Sequence, residues 1–565
     1  MPIYQLPGEE TKPLAIVGGG FAGTTTLLHW LLKAADDPRL TEDNPLRITH
    51  IERFPQQMHG GIAYGGTPQF DYNLNLTSKR ITPFAAGEQP EGFPTFDQYI
   101  EQLAQEEPDA VRNFANPQRK LYGRYLDHLI DLAFEKAGGK VKVDTRYSEV
   151  VDFNEHKNGI TMTMQDGSEL EAAHMILATG LKHATRPSFA FNVAANPRYL
   201  NYPYSEAANG YYDRVLNSTQ NHDRASALVI GTGLSAIDSA IRLLDGGYKG
   251  KIVMMSRRGL MHPVYDDKGV PLKGHLRGEP RPQEELPFTK EMPRFMRMMK
   301  KDKKMGFEGV VKNAMGEMRM RMKEGYTSEE IIGYWERFVP EIFKRFPEQT
   351  SDFLLQHETT VNVMRVGTTP GLAGKIRQAV EDGRLEIVTA RIDGMDTAHG
   401  GFEVAMRPND NTGNAIGPAY ARRFTHVING IGNNTEYDLP AEEIEDPLWR
   451  NLREKNAYRP HPLHDGVSVT RDFSLHGGDG KTYRRVSVIG TPVSGHMNVT
   501  AYKYPEKEGS GARLGAFTLN IQGILGGILA LVDQKYEKVK AQQDADKPQK
   551  PHHSARRRTT AAYQT

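Results

Sequence analysis

Two short glycine-rich stretches have the residue types and spacing that suit binding of a pyrophosphate group. The first follows the apolar run Leu14–Val17 and reads Gly18-Gly19-Gly20-Phe21-Ala22-Gly23, the pattern G-x-G-x-x-G. Gly18 permits a tight turn, Gly20 lets a phosphate approach the backbone, and Gly23 lets the following helix pack on the strand. The start of that helix offers free N–H groups and a positive dipole end. The whole stretch is therefore predicted to bind a dinucleotide.

The second stretch repeats the arrangement later in the chain. An apolar run at residues 227–230 leads into Gly231-Thr232-Gly233-Leu234-Ser235-Ala236, and a helix is predicted to continue over residues 235–244. Ala236 takes the place of the third glycine, which is an accepted variant of the pattern. Two such turns in one chain predict two bound dinucleotides.

The residues that end the next strand of each unit predict which nucleotide binds. Glu52 ends an apolar strand at residues 47–52 and, with Arg53 beside it, is placed to accept from ribose hydroxyls. Its distance from Gly23 is nearer thirty residues than the usual ~20, and the polar stretch 34–45 accounts for the excess as a loop. The second unit has Ser256-Arg257-Arg258 instead. Guanidinium groups suit a 2′-phosphate, so NADP is favoured over NAD; a solvated arginine pair is the alternative.

Other strand-like runs end in small residues, which lets a ligand reach the carboxyl edge of a parallel sheet. The run 174–177 closes on Ala178-Thr179-Gly180, and the run 486–489 leads into Gly490. Val150 lies among four short strands within residues 141–172, which are predicted to form a β-meander around a turn at 165–167. Val150, Thr179, Gly180 and Gly490 are therefore expected to contact the first dinucleotide.

The remaining elements complete an α/β fold with two Rossmann-like units, a β-meander and a helical insertion. Residues 60–66 and 73–84 are predicted to be extended segments that lie along a flat ligand, with an ordinary surface loop as the alternative. Residues 261–360 are rich in Met, Lys, Arg and Glu and are predicted to be helices. That insertion could cap a site, contact a partner or mediate oligomerisation. Methionines at such spacings are more often adaptable packing than a cofactor site.

Composition limits the classes of protein that this chain can belong to. Its 565 residues suggest more than one domain, and the net charge of +1 gives no general reason to expect a nucleic-acid partner. The absence of cysteine excludes disulfides, thiolate metal sites and a redox-active cysteine pair. The N-terminus has no signal-peptide layout, and the apolar stretch 514–532 is expected to be a buried helix rather than a membrane span. A cytoplasmic location is expected.

Taken together, the motifs resemble those of the class B flavin-dependent monooxygenases. The closest similarity is to the family described as FAD-NAD(P)-binding proteins, some members of which, such as nitrosuccinate synthase, N-oxidise an amino acid. The segments that carry the resemblance, besides the two glycine turns, are Glu52, Gly61-Ile-Ala-Tyr64, Leu74-Asn-Leu76, Tyr122-Gly-Arg-Tyr-Leu126, Ala178-Thr-Gly180, Ser256-Arg-Arg-Gly-Leu260 and Asn429-Gly-Ile-Gly432. The Baeyer–Villiger fingerprint and the ornithine-hydroxylase ending D-x-x-x-L-A-T-G-Y are both absent.

The resemblance implies a division of the chain and two cofactors. Residues 1–185 and 425–541 would bind FAD, and residues 186–260 and 361–424 would bind NADPH. Residues 261–360 would form the helical insertion, and residues 542–565 a disordered tail.

The chemistry that the resemblance implies is oxygenation of a substrate nitrogen. NADPH would reduce the flavin, and reduced flavin would react with O₂ to form a C4a-(hydro)peroxide that oxidises the amine. Asn75 and Arg80 are the residues expected beside the flavin, and Arg80 or Arg365 could hold a substrate carboxylate. A small amino acid is the expected substrate, with aspartate first. The partners would be this small molecule and O₂, without nucleic acid or membrane, and a homo-oligomer is left open.

Two other classes of function fit the same motifs. One is a flavin oxidoreductase that does not insert oxygen, and the other is a non-catalytic protein that uses bound nucleotides for structure or sensing. No metal site is expected, because the scattered histidines show no ligand spacing; they are His357, His461, His464 and His496.

Overall fold

The structure is a computed structural model, and it describes twenty-two stretches of the chain. They are residues 12–65, 72–85, 87–114, 116–180, 187–218, 225–259, 261–262, 264–265, 271–272, 291–324, 326, 331, 334–335, 338–357, 368–398, 400–410, 413–431, 436–463, 466–493, 521, 524–525 and 528–529. Arg365, His464 and His496 lie outside them, as does the predicted disordered tail.

Strands and helices alternate along much of the chain. The strands are β1 (Leu14–Val17), β2 (Leu46–Glu52), β3 (Val141–Tyr147), β4 (Val150–His156), β5 (Gly159–Met164), β6 (Glu169–Ala172), β7 (His174–Leu177), β8 (Tyr199–Leu200), β9 (Ser226–Ile230), β10 (Lys251–Ser256), β11 (Val264–Tyr265), β12 (Pro271–Leu272), β13 (Leu385–Ala398), β14 (Gly401–Pro408), β15 (Tyr420–Phe424), β16 (His426–Asn429), β17 (Ser474–His476) and β18 (Thr482–Val488). The helices are α1 (Phe21–Ala35), α2 (Gly61–Tyr64), α3 (Phe96–Glu106), α4 (Arg119–Ala137), α5 (Glu206–Ser218), α6 (Leu234–Asp245), α7 (Arg294–Lys301), α8 (Phe307–Lys323), α9 (Val339–Arg345), α10 (Pro347–Gln356), α11 (Pro370–Glu381) and α12 (Pro447–Glu454).

The first unit is built on a six-stranded sheet with the order β17-β18-β7-β1-β2-β3. Every neighbouring pair is parallel except β17 and β18. Both β1 and β7 are buried at every position, as expected for the central strands of a sheet covered on both faces. The core of this unit also includes Ile521, Ile524, Leu525 and Ile528, so the described part of the stretch 514–532 is buried as predicted.

The second unit is built on a seven-stranded sheet with the order β15-β14-β13-β10-β9-β16-β8. Strands β13, β10, β9, β16 and β8 pair in parallel, whereas β14 pairs antiparallel with β13 and β15 pairs antiparallel with β14. A separate antiparallel sheet of β4, β5 and β6 is the β-meander. The predicted α/β class with two Rossmann-like units is therefore confirmed.

Three local predictions are wrong. The strand that begins at Val141 is not part of the meander, because β3 pairs in parallel with β2 in the first sheet. The two segments predicted to be extended both contain a helical turn: Gly61–Tyr64 form one turn of α-helix, and Ser78–Arg80 form a 3₁₀ turn. The chain does not leave the second unit at residue 425, because β16 pairs with both β9 and β8.

The insertion is helical where the structure describes it, apart from the short hairpin of β11 and β12 near its start. Its helices α7, α8 and α9 share a small core of their own, in which Phe295, Met296 and Met299 are buried. Arg345 of α9 donates hydrogen bonds to the carbonyl groups of Asp302, Lys303 and Met305 at 3.1, 2.8 and 2.7 Å. The guanidinium thus fixes the turn between α7 and α8. No helix in the described stretches is long and apolar enough to cross a membrane; the cytoplasmic location stays a prediction.

Close packing of α1 against the end of β1 predicts a stability difference between two glycines of the same turn. A Cβ on Gly23 would lie 1.8 Å from the carbonyl oxygen of Gly18, whereas a Cβ on Gly20 would meet nothing nearer than Gly61 Cα at 3.6 Å. Gly23→Ala should lower the free energy of unfolding by about 1–3 kcal/mol through overpacking. Gly20→Ala, the matched control, should change it by less than about 0.5 kcal/mol. Denaturant titration of both variants measures this, and equal losses would contradict the packing argument.

Candidate functional site

The first glycine turn has a geometry that only glycine adopts readily. Gly18 has φ of +117°, and a Cβ there would lie 2.2 Å from the carbonyl oxygen of Ala178. Its N–H donates to the carbonyl oxygen of Ile51 at 2.7 Å, which ties the turn to β2. Helix α1 then begins at Phe21, and its N-cap residue Gly20, with φ −72° and ψ −175°, provides no side-chain cap. The N–H groups of the first helical turn are therefore left for a ligand.

The second turn repeats this geometry in the other sheet. Gly231 has φ of +110°, and its N–H donates to the carbonyl oxygen of Met255 at 2.6 Å. Helix α6 begins at Leu234, and its N-cap residue Gly233, with φ −78° and ψ −175°, again provides no side-chain cap. Leu234 and Ser235 form the first turn of that helix. The two turns thus present backbone N–H groups in nearly the same way.

The third glycine of the pattern is Gly23 in the first turn but is replaced by Ala236 in the second, and the packing around each residue explains the difference. In the first unit Gly23 faces the carbonyl oxygen of Gly18 directly. In the second unit Ala236 occupies that position, and the space comes from Gly430, where a Cβ would lie 2.8 Å from Ala236 Cα. The alanine is therefore matched by a glycine at the end of β16.

Each turn is also linked to the end of the second strand of its own sheet. Glu52 accepts a hydrogen bond from the N–H of Gly19 at 2.7 Å and a second from the N–H of Phe54 at 3.1 Å. In the second unit the hydroxyl of Thr232 donates to Ser256 at 2.9 Å. Glu52 and Ser256, each predicted to contact a nucleotide, thus also brace the turns, a role that their spacing in the sequence did not indicate.

The other residues predicted for the first dinucleotide lie near the start of α1 or along the edge of the meander. Ala178 contacts Gly18 as described, and a Cβ on Gly490 would lie 3.1 Å from Ala22 Cβ. Thr179 accepts a hydrogen bond from Trp449 Nε1 at 3.3 Å, and Gly180 has φ of +65°. The ends of β1, β7 and β18 therefore meet at one place.

An open cavity of about 670 Å³ lies between the end of β2 and the meander. Arg53, Tyr147 and Glu149 line it, and Arg53 pairs with Glu149 at 3.3 Å. The Arg53 guanidinium also lies 4.3 Å from the centre of the Phe54 ring. Val150 follows directly, with a buried side chain at the start of β4. Arg53 and Val150, both predicted to contact the first dinucleotide, therefore lie at or directly beside this cavity.

The second predicted nucleotide-selecting pair lies at the end of β10. Arg257 is exposed and Arg258 partly buried. The carbonyl oxygen of Arg257 accepts from Asn409 Nδ2 at 3.1 Å, so the loop after β14 holds the backbone of the pair. A Cβ on Gly413 of the same loop would lie 3.4 Å from Arg258 Cγ.

The predicted catalytic residues lie on the segment after α2. The side-chain oxygen Oδ1 of Asn75 is buried and has no hydrogen-bond partner within the described residues. An orphaned buried acceptor is costly, so this atom is suited to accept from a ligand. Arg80 ends the 3₁₀ turn Ser78–Arg80, but its side chain is outside what the structure describes.

One buried histidine, which was not predicted from the sequence, forms a hydrogen bond with the backbone of the first turn. His50 is fully buried in β2, and its Nε2 lies 3.1 Å from the carbonyl oxygen of Gly18. Because a carbonyl only accepts, the imidazole donates Nε2–H to it. Burial lowers the pKa of His50 to about 4, so the ring is neutral at pH 7. The signal available in the sequence was the position of His50 in β2, between the apolar residues Ile48 and Ile51.

A buried ion pair between the two units was also missed. Arg119 at the start of α4 contacts Asp238 of α6 at 2.6 Å, and the hydroxyl of Tyr204 donates to the same carboxylate at 2.6 Å. Burial would lower the pKa of Arg119, but Asp238 and Tyr204 together raise it above its ordinary value. Arg119 Nε also donates to the carbonyl oxygen of Asn73 at 3.0 Å. The pair therefore ties the segment that carries Asn75 to α6.

This ion pair lies at a cavity of about 600 Å³, here called the inter-unit cavity. Its lining comes from both units and includes Tyr72, Gln118, Asn209, Arg242 and Leu372. Arg242 donates to the hydroxyl of Tyr72 at 3.2 Å and to Asn209 Oδ1 at 2.8 Å. A second buried polar contact thus crosses between the units beside the first.

Comparisons with known proteins give a family match by sequence for the first unit, and similar folds for nearly the whole chain. Residues 15–182 match a family described as FAD-NAD(P)-binding, which confirms dinucleotide binding for this segment. No curated protein matches the chain in sequence.

Two solved structures share the fold over nearly the whole chain. One is a cadaverine monooxygenase of desferrioxamine biosynthesis from Erwinia amylovora, bound to FAD; it is 14% identical, with TM-score 0.50, over 92% of this chain and 95% of that one. The other is an ornithine N-hydroxylase from Kutzneria sp. 744 with reduced FAD, NADP⁺ and L-ornithine; it is 13% identical, with TM-score 0.50, over 92% of this chain and 99% of that one. The predicted resemblance to class B N-hydroxylating monooxygenases is confirmed in fold, while the closer likeness to nitrosuccinate synthase stays a prediction.

The arginine pair predicts a preference between the two nicotinamide nucleotides. Arg257→Ala combined with Arg258→Ala should weaken NADPH binding roughly ten- to hundredfold, since charge-assisted hydrogen bonds contribute about 1.5–3 kcal/mol. NADH has no 2′-phosphate, so its binding should change less than about twofold. Titration with both nucleotides measures this, with Arg423→Ala on the exposed strand β15 as the control. Equal losses for both nucleotides would contradict the assignment.

The neutral His50 predicts a pH-dependent part of the stability. The unfolded state takes up a proton below the ordinary pKa of about 6.5, whereas the folded state does so only near 4. This contribution is therefore present above pH 6.5 and is lost as pH falls from 6.5 to 4, costing about 2 kcal/mol between pH 7 and pH 5. His50→Gln should lose correspondingly less stability over that interval in denaturant titrations. Parallel pH profiles for the variant and the natural protein would show that His50 does not titrate in this way.

Proposed function

We propose that this chain is an FAD- and NADPH-dependent monooxygenase that hydroxylates the amine nitrogen of a small amino acid. One observation carries the proposal: a single chain contains two turns of the same backbone geometry, each at the carboxyl edge of its own parallel sheet. Such an arrangement suits the transfer of hydride from one bound dinucleotide to another. The proteins that share the fold act, by their names, on cadaverine and ornithine, which are both amines.

The residues around the first turn fit FAD. The turn has no room for a Cβ at Gly18, the start of α1 lacks a side-chain cap, and the buried Asn75 Oδ1 accepts no hydrogen bond from any described residue. The residues that would hold FAD are Gly18, Gly20, Phe21, Ala22, Gly23, Glu52, Arg53, Val150, Thr179, Gly180 and Gly490. When bound and reduced, FAD supplies the activation of molecular oxygen.

The residues around the second turn fit NADPH. The pyrophosphate would lie on the N–H groups at the start of α6, and the 2′-phosphate on the arginine pair. The residues concerned are Gly231, Gly233, Leu234, Ser235, Ser256, Arg257 and Arg258. The buried contacts across the inter-unit cavity hold the two sites in a fixed relation.

The contributions of the chain to the reaction are binding, orientation and exclusion of water. Asn75 Oδ1 can accept a hydrogen bond from an N–H of the flavin or of the substrate amine, and so orient one toward the other. Arg80 or Arg365 would hold a substrate carboxylate. Aspartate is the first substrate to test. The division into FAD and NADPH units is part of this proposal, with the return to the first unit moved beyond Asn429.

The proposal predicts where the electrons of NADPH go. With FAD, O₂ and aspartate present, NADPH consumption should yield an equal amount of N-hydroxylated amino acid, measured by mass spectrometry, and little hydrogen peroxide. Gly20→Val, in which a branched side chain fills the pyrophosphate site, should retain no flavin and consume no NADPH.

Two outcomes would contradict the proposal. If peroxide forms in amounts equal to NADPH with every amino acid tried, the enzyme is a flavin oxidoreductase that does not insert oxygen. If NADPH does not reduce the bound flavin, the protein uses its nucleotides for structure or sensing.

A further inference from the structure

The two glycine turns differ in the residue that faces their middle glycine. At the first turn a Cβ on Gly20 would lie 3.6 Å from the Cα of Gly61. At the second turn a Cβ on Gly233 would lie 3.8 Å from Nε2 of His262. Among the described residues, an imidazole therefore faces the middle glycine of the second turn, whereas another glycine faces that of the first.

The space in front of Gly233 is otherwise open. Apart from its two neighbours in the chain, no other described residue places an atom within 4 Å of that Cβ position. Gly233, Leu234 and Ser235 are all partly exposed. The middle glycine of this pattern is the residue at which a pyrophosphate approaches the backbone. A phosphate oxygen that uses the space left by the missing side chain is therefore brought beside His262 Nε2.

The chain is held in place on both sides of the loop that leads from β10 to His262. At its start the carbonyl oxygen of Arg257 accepts from Asn409 Nδ2 at 3.1 Å. At its end Met261 is only 2% exposed and packs in the hydrophobic core of the second unit. His262 itself is 8% exposed. A side chain held in this way loses little conformational freedom when it binds a ligand.

We propose that His262 donates a hydrogen bond from Nε2 to the pyrophosphate of the nicotinamide nucleotide. Both the imidazolium and the neutral Nε2–H tautomer can donate, and hydrogen bonds to an anionic oxygen are among the stronger ones. The loop after β10 then contacts the nucleotide at two points. Arg257 and Arg258 at its start bind the 2′-phosphate, and His262 at its end binds the pyrophosphate. Only the first contact distinguishes NADPH from NADH.

The ligand is that of the proposed function, on which this inference rests, but the test measures binding rather than catalysis. Two fragments of the nucleotide separate the two contacts. ADP-ribose contains the pyrophosphate without the 2′-phosphate, whereas adenosine 2′-phosphate contains the 2′-phosphate without the pyrophosphate. The FAD-loaded protein is titrated with each fragment, and with NADP⁺, by calorimetry.

His262→Leu keeps an apolar side chain of moderate size but removes the donor. It should bind ADP-ribose and NADP⁺ at least about tenfold more weakly, since one hydrogen bond to a charged group is lost. Its affinity for adenosine 2′-phosphate should change less than about twofold, because that fragment has no pyrophosphate. Arg257→Ala combined with Arg258→Ala should weaken adenosine 2′-phosphate and NADP⁺ instead, and leave ADP-ribose within about twofold.

Three further variants separate donation from packing. His262→Gln places an amide nitrogen near the position of Nε2 and should retain ADP-ribose binding within about threefold. His262→Asn has a shorter amide that does not reach this position, so it should lose binding as His262→Leu does, even if the leucine variant fails to fold. His426→Leu is the control, because it removes another buried imidazole of the same unit, at the amino end of β16 and away from the turn. It should bind all three ligands as the natural protein does.

The results distinguish failure of this inference from failure of the proposed function. If the natural protein binds ADP-ribose and the leucine and asparagine variants bind it equally well, His262 does not contact the pyrophosphate, while the proposed function stands. Tighter binding by those variants also overturns the contact, since the imidazole would then obstruct the phosphate. If the natural protein binds neither fragment nor NADP⁺, the second dinucleotide site of the proposed function fails, and the role of His262 fails with it.

Discussion

The arrangement of the two dinucleotide units depends on buried polar contacts between them, foremost the ion pair of Arg119 with Asp238. Removing one partner of a buried pair leaves an uncompensated charge and typically costs about 3–5 kcal/mol. Here the same guanidinium also holds the carbonyl group of Asn73, two residues before Asn75. Asp238 in turn lies one turn into α6, whose first residues form the second glycine turn. A single contact therefore relates the segment expected beside the flavin to the start of the helix expected to bind NADPH.

The two glycine turns reach the same geometry by different local means. The first uses Gly23 for close packing and a carboxylate, Glu52, to hold its middle residue. The second uses Ala236 with Gly430 opposite, and a pair of hydroxyls, from Thr232 and Ser256. Both therefore keep the backbone N–H groups at the helix start available, which is the property that binding of a phosphate selects.

Much of the fold follows from the local sequence pattern. Most of the remaining features depend on contacts between residues that are distant in sequence. The glycine turns, the apolar strands beside them and helices α1 and α6 were predictable because backbone geometry and burial dictate their residues. The membership of β3 in the first sheet was not, because strands of similar composition pair equally well with several neighbours. The roles of His50 and of Arg119 were missed since each depends on a partner distant in sequence.

The position of Trp449 has a consequence for how this protein can be observed. The chain has three tryptophans. Trp30 lies within α1, Trp335 packs on Phe295 in the insertion, and Trp449 donates to Thr179 beside the first glycine turn. The indole of Trp449 would transfer its excitation energy to a flavin bound at this turn. The emission of Trp449 would therefore be quenched when the flavin is bound. Intrinsic tryptophan fluorescence would then report the fraction of molecules loaded with flavin, without any added label.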